Sequence, residues 1–103
     1  MEYSTLDKLG VRVSRLGFGC MRFPLTAEGK IDEPRAAAML DTAYKAGVTY
    51  YDTAYFYHQH TGEAFLGRAM KRYPRDTFYL ATKMPMSIVE SLDHAKEIFE
   101  GQL

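Results

Sequence analysis

The chain has 103 residues, 47% hydrophobic and 25% charged, an ordinary balance for one small globular domain. Thirteen Lys and Arg cancel thirteen Asp and Glu, which argues against a nucleic-acid or membrane-surface binder working through bulk positive charge. No apolar run approaches the roughly 18–20 residues of a membrane span. The single cysteine, Cys20, leaves no internal disulfide and fits a reducing, cytoplasmic setting.

Residues 1–4 carry no basic-then-apolar pattern, so no secretory signal is expected there. Tyr3–Leu6 and Val11–Ser14 flank Asp7-Lys8-Leu9-Gly10, which reads as a turn, so an opening hairpin is expected. Leu16-Gly17-Phe18-Gly19-Cys20 reads as a short strand whose glycines let another backbone or a ligand come close. Asp32 is placed to cap a helix over 33–46, with Pro34 in its first turn and Gly47 as its stop. Ala36, Met39, Leu40 and Ala43 give that helix its apolar face. Residues 48–52, β-branched and aromatic, form the next strand. A loop runs through His60, and Thr61 then caps a second helix with Phe65, Leu66, Ala69, Met70 and Tyr73 on one side. Pro74-Arg75-Asp76 breaks it, and residues 77–83 form a third strand. Ser91 caps a third helix whose apolar stripe is Leu92, Ala95, Ile98, Phe99 and Leu103.

The order is a hairpin followed by β-α-β-α-β-α. Such alternation implies an α/β fold with parallel strands joined by right-handed crossovers. Three βα units are a small part of a (β/α)8 barrel, which takes roughly 250 residues. No stop signal follows the last helix before Leu103, so residues 1–103 are expected to be an incomplete N-terminal portion of such a barrel domain.

The chemistry concentrates in two strand ends. Asp52 closes the second predicted parallel strand and is followed by a loop carrying Tyr55 and Tyr57. Lys83 closes the third. Alternation puts Tyr79, Ala81 and Lys83 on one face and Phe78, Leu80 and Thr82 on the other. A lysine on an enclosed face needs a counter-charge, because an unpaired buried ammonium is costly. Asp52 on the neighbouring strand is its natural partner. A free phenol has a pKa near ~10, and a cation within a few Å lowers it by favouring the phenolate. A tyrosine beside such a pair can then act as a general acid toward a carbonyl oxygen.

Each residue also has an ordinary reading. Tyr57 could be a plain loop tyrosine, Lys83 a solvated strand-end lysine and Asp52 the cap of an Asx-turn. Tyr55 reads as cleft lining or packing. His58 and His60 lack further ligands at metal spacing and read as a solvent-facing or cleft-rim loop, with no metal site expected. Cys20 reads as a small apolar residue, Met84 and Met86 as packing, and His94 as surface. Gly17-x-Gly19 is no dinucleotide fingerprint, since no G-x-G-x-x-G opens a helix there.

The chain resembles the aldo-keto reductases over essentially its whole length. The resemblance rests on Leu16-Gly17-Phe18-Gly19-Cys20-Met21-Arg22, on Asp52-Thr53-Ala54-Tyr55-Phe56-Tyr57, on Gly62-Glu63 with Leu66-Gly67-Arg68-Ala69, and on the run Arg75-Asp76-Thr77-Phe78-Tyr79-Leu80-Ala81-Thr82-Lys83. It implies a (β/α)8 barrel that uses NADP or NAD to interconvert an aldehyde or ketone and an alcohol. Within it, Tyr57 matches the catalytic acid, Lys83 the lysine that tunes it, and Asp52 the aspartate that holds the lysine near the nicotinamide. Gly19, Cys20 and Met21 match a turn lying against the cofactor. The fourth catalytic residue the resemblance implies, a histidine ending the fourth strand, has no counterpart here, nor have most of the nucleotide contacts. The Met84-Pro85-Met86 junction and the last helix look most like the subgroup with a C-terminal ferredoxin-like iron–sulfur region, whose cluster cysteines would come from outside this chain.

Two functions of different classes follow. One is the N-terminal part of a carbonyl reductase acting on a small-molecule substrate, with no nucleic-acid or membrane partner. The other is a non-catalytic α/β piece that packs against a partner chain or itself through exposed strand edges.

Overall fold

A computed structural model describes residues 1–103. The chain opens with an antiparallel hairpin of β1 (Tyr3–Leu6) and β2 (Val11–Ser14), with Tyr3 opposite Ser14 and Leu6 opposite Val11. Between them lies a single 3-10 turn, Asp7–Leu9, closed by Gly10 at φ 63. Next come β3 (Phe18–Gly19), α1 (Glu33–Lys45), β4 (Tyr50–Asp52), α2 (Gly62–Met70), β5 (Tyr79–Ala81) and α3 (Leu92–Gln102). The last three strands form a parallel sheet in the order β3-β4-β5. The architecture is therefore α/β, in the element order the alternation predicts.

The helix starts follow from local chemistry. Asp32 accepts the Arg35 N–H at 3.4 Å, and Pro34 occupies the first turn of α1, where its missing N–H costs nothing. Ser91 accepts the His94 N–H at 3.1 Å and starts α3. Thr61 precedes α2 but caps nothing through its side chain; its hydroxyl turns back to the His58 carbonyl. Gly47 follows α1 at φ 95, where a Cβ would stand 2.6 Å from the Tyr3 hydroxyl. That hydroxyl donates to the Gly47 carbonyl, tying the hairpin to the turn between α1 and β4.

One core lies between the sheet and helices α1 and α2. Tyr51, Leu40, Leu66, Met70 and Cys20 are its fully buried side chains, with Phe23, Phe65 and Phe78 beside them. Burying a side chain of the Leu or Met kind stabilises by about 1.5–3 kcal/mol, so this cluster supplies most of the driving force. Tyr51 buries its ring because its hydroxyl has an acceptor, the Val48 carbonyl at 2.9 Å. The alternation expected around β5 holds: Phe78 meets Tyr51 edge-on in the core, while Tyr79 lies beside Tyr50 on the uncovered face.

The expected strand lengths need correction. The parallel strands are shorter than the apolar runs. Thr49 gives its N–H to the Ser14 hydroxyl, leaving only its carbonyl to accept the first ladder bond from the Tyr79 N–H, and Thr77 gives its N–H to Pro74 within a 3-10 turn. No residue of α3 is fully buried: Ala95 and Ile98 of its stripe are half-buried, and Leu92, Phe99 and Leu103 are exposed. The molecule is also a slab of 42 × 40 × 20 Å, with a radius of gyration of 14.9 Å, where a closed domain of this length would have about 13 Å.

Candidate active site

Because β3, β4 and β5 are parallel, their C-terminal ends share one rim. Asp52 is the last residue of β4, level with Gly19 of β3 and Ala81 of β5. Lys83 lies two residues past Ala81, so the pleat returns it to the same face. Its ammonium donates to Asp52 Oδ2 at 2.8 Å and to the Thr53 carbonyl at 2.8 Å. The same nitrogen stands 5.2 Å from the centre of the Tyr57 ring. The three residues singled out for chemistry thus meet at one rim.

The hydrogen bond to Asp52 is the main reason that the Lys83 ammonium is held above its ordinary pKa. Partial burial opposes this, and the Tyr57 hydroxyl, which makes no formed hydrogen bond to the ammonium, adds a smaller push in the same direction as Asp52. The Lys83 and Asp52 side chains remain 52% and 41% exposed. An ion pair that open contributes about 0–1 kcal/mol to stability. Its consequence is positional: it keeps a charged nitrogen over the Tyr57 ring.

Tyr57 is placed by its own loop. Its N–H donates to the Ala54 carbonyl at 3.2 Å, and its carbonyl accepts the Gly62 N–H at 3.1 Å. A Cβ at Gly62 would stand 3.0 Å from the Tyr57 carbonyl oxygen and 3.3 Å from its Cβ, so a side chain there would push Tyr57 and the start of α2 apart. Directly after Tyr57, His58, Gln59 and His60 all take left-handed backbone, with φ of 53, 55 and 69. For residues with a side chain this costs about 1–2 kcal/mol each. His58 is half-buried, and its Nε2 accepts the Phe23 N–H at 3.2 Å. His60 packs edge-on against Tyr55 and Phe56.

A polar relay sits behind Lys83. Gln102 of α3 donates to the Lys83 carbonyl at 3.0 Å and to Glu63 of α2 at 2.8 Å, and the Thr82 hydroxyl donates to the same Glu63 oxygen. Sequence reasoning picked out neither this relay nor the bond to His58. Nothing local marks a partner 35 or 39 positions away.

Residues 15–100 match the profile of the aldo/keto reductase family. The chain belongs to that family. It is 35% identical over 78 residues to the probable aldo-keto reductase 1 of Glycine max, covering 76% of this chain and 22% of that protein. It is 36% identical over 84 residues to the aldo-keto reductase YhdN of Bacillus subtilis (strain 168), covering 81% of this chain and 25% of that protein. Among solved structures, the holo form of the aldo-keto reductase AKR11C1 from Bacillus halodurans superposes with a TM-score of 0.76 at 31% identity. That likeness covers 100% of this chain and 35% of the other. The chain therefore spans about a quarter of the curated relatives it matches.

On this aldo/keto reductase chain, Gly19 stands open, with no atom within 4 Å of where a Cβ would be, and Met21 is exposed. Cys20 points the other way, fully buried in the core, with its N–H given to the Asp52 carbonyl. Burial first, and then the Asp52 charge, pushes its thiol up to about 12. No cluster of three or more His, Cys, Asp and Glu side chains is placed to hold a metal ion. Neither the geometry nor these matches support the iron–sulfur expectation. No helix is long and apolar enough to cross a membrane.

Proposed function

We propose that this chain is the N-terminal part of a (β/α)8 barrel that reduces an aldehyde or ketone to an alcohol with NADPH or NADH, Tyr57 being the general acid. The observation that carries this reading is the Lys83 ammonium, bonded to Asp52 at 2.8 Å and standing 5.2 Å from the Tyr57 ring centre. The parallel order β3-β4-β5 and the slab shape support a wedge of a barrel. The open backbone at Gly19, the exposed Met21 and the Asp52 carboxylate on the same rim fit a flat ring, and these residues would hold the nicotinamide. When bound, that group supplies the hydride to the carbonyl carbon. The Tyr57 hydroxyl gives its proton to the carbonyl oxygen, completing the alcohol. Lys83 stabilises the phenolate left behind, and Asp52 with the Thr53 carbonyl keeps the ammonium in place. Solvent then returns the proton. The reduced, buried Cys20 is in keeping with a cytoplasmic location.

The test is a chimera in which residues 1–103 are joined to the remaining strands of the Bacillus halodurans reductase. Saturable NADPH binding certifies that the barrel has formed. In it, Tyr57→Phe is expected to slow carbonyl reduction by about 10²–10⁴-fold, the usual scale of a general acid, with NADPH binding kept. Turnover within about tenfold of the parent would remove Tyr57 from that role.

A second reading has its own observation. Tyr50, Tyr79 and Leu80 are exposed large apolar side chains on the sheet, and β3 and β5 are both edge strands. Such edges pair readily with another chain, so we propose self-association for the 103 residues by themselves; sedimentation over a concentration series reads it directly.

A further inference from the structure

We propose that His58 is a positioning residue for Tyr57: its neutral imidazole accepts the Phe23 N–H and so holds the left-handed turn that sets where the tyrosine stands. The inference deepens the reading of Tyr57 as the acid and rests on it. Three consecutive non-glycine residues at positive φ do not hold themselves. The bonds of Ala54, Tyr57, His58, Thr61 and Gly62 to one another only close the loop on itself. The one hydrogen bond that ties residues 54–61 to a distant part of the molecule runs from the Phe23 N–H to His58 Nε2, at 3.2 Å. Phe23 is a firm anchor. It is 4% exposed, edge-on to Phe65 at 5.1 Å, and stacked on the His58 ring at 5.5 Å.

An Nε2 that accepts must carry no hydrogen, so the imidazole is neutral with its proton on Nδ1. In acid both nitrogens become donors. An N–H would then face the Phe23 N–H, and the tether would open. The titratable groups lining the same cleft wall are Glu28 and Lys30 before α1, Glu33 of α1, Arg68 of α2 and His60 of the same turn. Arg68 and Glu33 are paired with each other at 2.9 Å. The proposal thus couples the geometry of the acid to the protonation of its neighbour.

The test uses the ¹⁵N-labelled 103-residue chain in solution. At pH 7.5 a scalar coupling across the hydrogen bond is expected between the Phe23 amide nitrogen and His58 Nε2, with the Nδ1–H tautomer. On acidification the coupling and the Tyr57-to-Lys83 proton contacts are expected to vanish in the same step. His58→Phe keeps a stacking ring and removes the acceptor. It should speed Phe23 amide exchange by roughly tenfold, the scale of one net hydrogen bond, and abolish the Tyr57–Lys83 contacts. His58→Gln restores an acceptor at similar reach and should recover both. An Nε2–H tautomer without coupling, including that of an unfolded chain, overturns the proposal. So does a His58→Phe chain whose Tyr57–Lys83 contacts are unchanged. None of these readouts uses turnover, and Tyr57→Phe should leave the coupling intact, so a failure of Tyr57 as the acid shows itself separately.

Discussion

Asp52 and Lys83 are 31 positions apart and meet because two parallel strands bring their ends level. Each is near half exposed, so their attraction is screened and contributes little to folding. What the pair does is local. The Asp52 carboxylate is the largest cause of the raised Lys83 pKa. Asp52→Asn should therefore bring the Lys83 titration down toward the ordinary lysine value of 10.5, as read by NMR of the Nζ-bearing side chain. Unfolding free energy near pH 7 should change by less than about 1 kcal/mol. The sign is that of a raised base: the pair's small contribution is complete below pH 10.5 and fades as pH rises through the folded value. An unmoved Lys83 titration would mean that the Thr53 carbonyl, not Asp52, holds the ammonium. Asp52 and Lys83 were legible in the sequence because each stands at or just beyond a strand end, where alternation and parallel order fix its place, whereas Tyr57, five residues into a loop, was singled out through the family resemblance. His58 was not legible, since no glycine or asparagine at 58–60 announces a left-handed turn.

Among the elements, α3 is held differently from α1 and α2. Helix α1 inserts Ala36 and Leu40 into the core, and α2 inserts Phe65, Leu66, Ala69 and Met70, whereas α3 buries no residue. An isolated helix of its 11 residues is marginal in water, where about 12–15 are needed. Its specific tether is Gln102, bonded to Glu63 and to the Lys83 carbonyl. Amide exchange should accordingly be far faster in α3 than in α1, and Gln102→Ala should unravel α3 while leaving α1 protected. Equal protection of the two helices in that variant would show that α3 docks by its apolar stripe after all. The caps and the hairpin were readable because they depend on residues within four positions of one another. Strand lengths were not, because the ladders end where Ser14 captures Thr49 and where Thr77 folds into its own turn. The apolar stripe of α3 was legible, but how much of it is covered was not, because periodicity reports that a face is apolar, not that anything covers it.

At the scale of the whole molecule, the single core also governs the response to alkali. Burial pushes the Cys20 thiol up to about 12, with the Asp52 charge helping, and pushes the Tyr51 phenol up to about 12, with Tyr73 and Tyr44 adding to it. Tyr73 is likewise raised to about 12, first by burial and then by its hydrogen bond to Asp41. In each case the unfolded chain releases a proton that the folded chain retains. Stability should therefore be flat from pH 7 to about 9 and then fall, by about 1.4 kcal/mol per pH unit for each proton so retained. Cys20 starts first, because its ordinary value of 9.0 lies below the tyrosine value of 10.0. Urea unfolding across pH 8–11 measures this. Cys20→Ala lowers the plateau, since it empties volume in a filled core. It should also remove the slope between pH 9 and 10 and leave the steeper decline above 10, where the tyrosines act. A Cys20→Ala chain that kept the early slope would place its origin outside the core, because the other raised group, Lys83, has an ordinary value of 10.5 and begins later than both tyrosines.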